Sequence, residues 1–228
     1  MSVAHVEGGR AHLGDRRWAA AWSVTALTLA AGVAVALANQ PYFDLLDGVV
    51  GARDSVARGL LFSSWLVLLS APFVVWRPSL IHLQLGDVQR SWRLIGGVLV
   101  AGGMLTALVL ATYGATPYGD ASWFIEMVVV PVTEELAFRG ALLGVMLLVL
   151  RRVYPAGTAA TLAIVFNGLA FGMGHVANAT ALSIGFVIAQ MTFAGFLGMA
   201  CAWLVIRTRS VYPAMLLHAV VNGVVVAI

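Results

Sequence analysis

Seven apolar runs, at about 18–38, 59–76, 92–112, 123–150, 157–174, 181–206 and 211–228, fill most of the chain. Each approaches the ~20 residues a helix needs to cross the hydrocarbon core of a bilayer. Backbone groups in lipid must be satisfied within one segment or in a closed barrel, so runs of this length predict helices rather than strands. With 61% of residues hydrophobic and only 10% charged, little is left for a soluble domain. The expected fold is all-α: a polytopic bundle of about seven transmembrane helices over 18–228, in a cell membrane, preceded by a tail at 1–17.

The basic residues predict the orientation. All thirteen are arginine. With seven helices, Arg10, Arg16, Arg17, Arg77, Arg90, Arg93, Arg151, Arg152, Arg207 and Arg209 fall on one side and Arg53 and Arg58 on the other. Positive charge is retained on the cytoplasmic side, which places the N-terminal tail in the cytoplasm and the C-terminus outside. The net charge of +3 arises from these flanks and gives no nucleic-acid signal. The first run follows Arg16 and Arg17 and ends in Ala36, Leu37, Ala38, imitating a cleavable signal. Its length exceeds a signal peptide's apolar core, so a retained anchor is expected.

The loop at 39–58 carries Asp44, Asp47 and Asp54 among apolar residues, as either a plain connection or a short surface helix. No internal repeat or linker marks a second domain. The only cysteine, Cys201, lies in the sixth run without a nearby basic residue, which suits packing rather than thiol chemistry.

The fourth run holds the sequence PVTEELAFRG, residues 131–140, with two glutamates and an arginine in an apolar setting. Three such groups at helix centres cost on the order of 8–10 kcal/mol before any pairing. Glu135 and Arg139 are four apart in the favoured order for a helical ion pair. Glu134, rotated by about 100°, has no evident partner in its own helix. A buried polar clip would explain the pair; the second carboxylate, just after Pro131, points instead to a cavity.

Two later runs carry matching polar residues. Phe171 and His175 lie in FGMGH at the end of the fifth, and His218 and Asn222 share a face in HAVVN in the seventh. A carboxylate and an imidazole can activate water, while a second imidazole and an amide can donate to a developing oxyanion. Two histidines and a glutamate can equally hold a zinc ion with an open position for water.

Taken together, Glu134, Glu135, Phe138, Arg139 and Gly140, then Phe171 and His175, then His218 and Asn222, resemble the three motifs of the CAAX protease and bacteriocin-processing (CPBP, or Abi) family. These motifs fall within 123–228, and the likeness extends over roughly 77–228. The resemblance implies an intramembrane endopeptidase. Glu134 would be the general base, sharing the attacking water with His175; His218 and Asn222 would stabilise the oxyanion; Glu135 and Arg139 would orient the first pair. If zinc takes part, the resemblance makes His175 and His218 its ligands.

The expected substrate is a membrane-associated peptide or protein. A lysine-free chain rich in Ala, Gly, Val and Arg suggests a bacterial source, for which prenylated tails are not expected. The rival readings are a non-catalytic scaffold or immunity protein, and a proton-coupled transporter, which also buries acids and histidines. One conflict stands. The arginines place His175 near the outer face, whereas a CAAX protease is expected to work from the cytosolic side.

Overall fold

In a computed structural model of the chain, residues 19–20, 22–27, 30, 55–76, 78–113, 123–180 and 182–227 are described below. Among them there is no strand, and the fold is all-α. Helix α1 spans Ser55–Trp76 and α2 spans Trp92–Tyr113. Helix α3 is one continuous rod in four sections: Ile125–Val129, Val130–Glu135, Leu136–Leu142 and Leu143–Leu150. Helices α4, α5 and α6 span Ala156–Met173, Ile184–Thr208 and Tyr212–Ala227.

Among the described residues, two stretches are long and apolar enough to cross a membrane, Ala156–Val176 and Ile184–Thr208. Leu66–Trp76, Trp92–Leu108 and Tyr212–Val225 are apolar but shorter. The tail at 1–17, the arginines at 10, 16, 17, 53 and 77, and the aspartates at 44, 47 and 54 lie outside the described residues. Of the first run, 19–20 and 22–27 are helical, and Val24 is fully buried against the main core.

That core joins α3, α4, α5 and α6 through Leu143, Met146, Leu147, Leu150, Ala159, Ala163, Leu204, Val205, Ala214 and Leu217. Small residues set the closest approach. A methyl group on Gly172 would stand 2.6 Å from the Met191 carbonyl oxygen, and one on Gly168 would stand 2.7 Å from that of Gly195. Without side chains at these positions α4 and α5 pack backbone to backbone, as small-residue interfaces allow where no hydrophobic force drives association. Cys201 of α5 is buried in the core with its thiol directed at the Ala214 carbonyl of α6, 3.8 Å away.

The link between α1 and α2 is folded onto the bundle. Ile81 is fully buried against Gly140, and Leu80 fills the groove at Gly144. The Val211 N–H donates to the His82 carbonyl at 3.0 Å, the Asp87 N–H to Thr208 at 2.7 Å, and the Tyr212 hydroxyl to Leu83 at 3.0 Å. Gly86 turns with φ +53°, where any side chain would strike the Thr208 carbonyl.

Candidate active site

The middle of α3 is not a regular α-helix. Pro131 has no N–H to donate within the helix, and the Thr133 hydroxyl donates to the carbonyls of Val129 at 3.0 Å and Val130 at 3.1 Å. π-Helical turns precede and follow the short α section that holds Glu134 and Glu135. Such widened turns re-aim side chains and recur at functional sites. In the second one, the Phe138 carbonyl accepts from the Leu143 N–H and also from Asn167 Nδ2 of α4 at 2.7 Å.

Glu135 and Arg139 form the expected ion pair, Nη1 to Oε1 at 2.8 Å, and neither side chain reaches solvent. Arg139 Nε and Nη2 and Glu135 Oε2 have no hydrogen-bond partner among the described residues. The guanidinium instead lies over the Phe171 ring, 4.2 Å from its centroid, with Phe138 packed edge-on against that ring at 5.1 Å. A desolvated contact of this kind contributes about 2 kcal/mol, offsetting part of the burial penalty.

His218 reaches this pair from α6. Its Nδ1 lies 3.0 Å from Glu135 Oε1 and its Nε2 3.5 Å from Glu134 Oε2. Glu134, which lacks a partner along its own helix, therefore finds one across the bundle. Of the two carboxylates, Glu134 is 8% exposed and Glu135 fully buried.

His175 stands just beyond α4, in the 3-10 turn Gly174–Thr180, and is partly exposed. Its Nδ1 is 3.0 Å from the Phe171 carbonyl. Because a carbonyl only accepts, this contact puts the proton on Nδ1 and leaves Nε2 with a lone pair. Phe171 joins the two histidines, with ring centroids 5.3 Å from His175 and 5.5 Å from His218. Asn222, one turn beyond His218, donates from Nδ2 to the Glu126 carbonyl at 2.8 Å and keeps a second N–H.

Sequence reasoning missed three members of this arrangement. Asn167 is fully buried, and as a lone amide four residues before Phe171 on the face leading to His175 it was readable by spacing. The Glu126 carbonyl carries no sequence signal. Gly198 of α5 leaves space for Arg139, since a methyl group there would lie 3.0 Å from Nη2.

As for zinc, both nitrogens of His218 face carboxylates and His175 Nδ1 is committed to a carbonyl. Among the described residues no three His, Cys, Asp or Glu side chains are grouped as an ion would require. In this arrangement the residues do not fit a three-ligand centre.

Carboxylates, imidazoles and an amide are thus gathered inside an apolar all-α bundle. Comparison adds a likeness: residues 121–224 match the family described as type II CAAX prenyl endopeptidase Rce1-like, so this part of the chain is similar to that family of membrane proteases. No curated protein and no solved structure matches the chain.

Proposed function

We propose that the chain is a multi-pass intramembrane endopeptidase that hydrolyses a peptide bond of a membrane-associated peptide or protein, with Glu134 as general base. The observation that carries this reading is the unequal state of the two glutamates. Glu135 Oε1 takes both Arg139 and His218, while among the described residues Glu134 meets only His218, at the longer distance of 3.5 Å. Glu135 is thus a structural anion and Glu134 a carboxylate with acceptor capacity left for water.

In the reaction, Glu134 takes a proton from water held between it and the free Nε2 of His175, and the oxygen attacks the scissile carbonyl. Charge then develops on the carbonyl oxygen. His218 and the second N–H of Asn222 donate to it, and Glu134 returns the proton to the departing amine. Glu135 and Arg139 hold the His218 ring through Nδ1. No step is assigned to a metal.

Terminal peptides compared by mass spectrometry, in cells carrying the native chain or Glu134→Ala at equal abundance, test the reading. Protein ends that vanish with the variant are expected, and they identify the substrate. An unchanged set of ends while the native chain is expressed would overturn the catalytic assignment and favour a scaffold or transporter.

A further inference from the structure

The two ends of the bundle differ in charge and in access to the site. One end gathers the start of α2, the ends of α3 and α5, and the starts of α4 and α6, tied together by the docked link at 78–91. It exposes Arg90, Arg93, Arg151, Arg152, Arg207 and Arg209. Asp87 is the acid there, 3.9 Å from Arg209. Trp92 and Tyr212, both exposed, sit where interfacial aromatics belong. The opposite end holds the start of α3, the end of α4 and the end of α6, with exposed Trp123 and Phe124. Its described charged residues are Glu126 and, at the start of α1, Arg58.

Exposure of the site falls toward the arginine end. His175 and Asn222 are partly exposed, Glu134 is 8% and His218 4% exposed, and Glu135 and Arg139 are closed off. Beyond Arg139, the fully buried Leu143, Met146 and Leu150 continue an apolar plug, sealed laterally by Ile81 on Gly140 and Leu80 on Gly144. His175 lies nineteen residues past the start of α4 at Ala156, about 28 Å from the arginine end. The partly exposed side chains of the site, His175 and Asn222, therefore lie toward the end opposite the arginine cluster, from which water and substrate would reach the carboxylates.

Arginine-rich flanks stay on the cytoplasmic side of a membrane. We propose that this site opens toward the opposite face, and that its substrates are membrane-associated chains whose scissile bond is presented outside the cytoplasm. The inference rests on the hydrolytic reading above for its substrates, but the orientation stands on packing and charge alone. It sets aside C-terminal tails displayed in the cytoplasm as substrates.

Labelling with a membrane-impermeant maleimide in spheroplasts of a bacterial host tests the orientation. The native Cys201 is buried, so single additions report their own position. Ala179→Cys, exposed in the turn after His175, is expected to label in intact spheroplasts, and Gln89→Cys, exposed at the arginine end, only after permeabilisation. Labelling of Gln89→Cys before permeabilisation, alone or together with Ala179→Cys, overturns the proposal, as does Ala179→Cys remaining unlabelled until permeabilisation. The assay needs no catalysis. If orientation holds but Glu134→Ala changes no protein ends, the protease reading fails alone; if orientation reverses while cleavage persists, only the assigned face is lost.

Discussion

His218 Nδ1 lies 3.0 Å from Glu135 Oε1, although the two residues are 83 positions apart. The same carboxylate oxygen accepts from Arg139 at 2.8 Å, so α6 is fixed to α3 through a shared buried anion. Removing one partner of a buried charge pair leaves the other uncompensated, at about 3–5 kcal/mol. Arg139→Ala should therefore lower unfolding stability in detergent by that order, with activity falling in proportion to folded protein. Glu134→Ala should abolish cleavage and leave the melting temperature nearly unchanged. Equal destabilisation by both variants would make Glu134 part of the clip.

Gly198 offers a second test of the arginine's seat. A methyl group there would lie 2.9 Å from Gly168 Cα, 3.0 Å from Arg139 Nη2 and 3.2 Å from Phe171 Cβ. Gly198→Val should destabilise by about 1–3 kcal/mol, the usual range for overpacking. Gly195→Ala, whose methyl would meet only the Gly168 carbonyl oxygen at 3.7 Å, should be tolerated. Thermal melting of the two purified variants separates these outcomes.

His82, in the docked link, predicts an acid-side loss of stability. Burial, reinforced by the nearby Arg151 charge, holds its pKa below the ordinary 6.5. The unfolded chain then binds more protons as pH falls through that value, so the contribution is whole above it and is lost toward lower pH. Melting followed from about pH 7.5 to about 5.5 should show this decline. His82→Asn, which removes the titration and tolerates the native φ of +52°, should flatten it. An unchanged slope would assign the decline to other groups.

Catalysis should survive stripping of zinc by a chelator, because both His218 nitrogens are directed at carboxylates. Metal content by elemental mass spectrometry, measured beside turnover, checks this. Activity lost on stripping and restored by zinc would require the His218 ring to leave Glu135.

The helices were largely legible because length and hydropathy report burial in an apolar medium directly. The apolar run at 123–150 ends with α3 at Leu150, and those at 92–112 and 211–228 coincide with Trp92–Tyr113 and Tyr212–Ala227 to within a residue or so. Within the site, the Glu135 and Arg139 pair followed from a spacing of four. Glu134 did not yield its partner, since His218 reaches it from another helix and local spacing carries no such contact. The π-helical turns were also hidden: the hydrophobic pattern of α3 is nearly continuous, and a change in hydrogen-bond register leaves little mark on composition. Nor did the sequence of the docked link at 78–91 announce that Leu80 and Ile81 would enter the grooves at Gly144 and Gly140. Glycines four apart show only that something approaches closely.

The apolar plug beyond Arg139 bears on the cell's energy supply. A hydrolase with its reacting water inside a bilayer places acids, imidazoles and solvent along a line that protons can follow. Leu143, Met146 and Leu150, with Ile81 lodged at their edge, interrupt that line with groups that neither donate nor accept. On the proposed hydrolytic reading, these side chains part the reacting water from the arginine end, and the electrochemical gradient across the membrane is expected to stay intact while a peptide bond is cut.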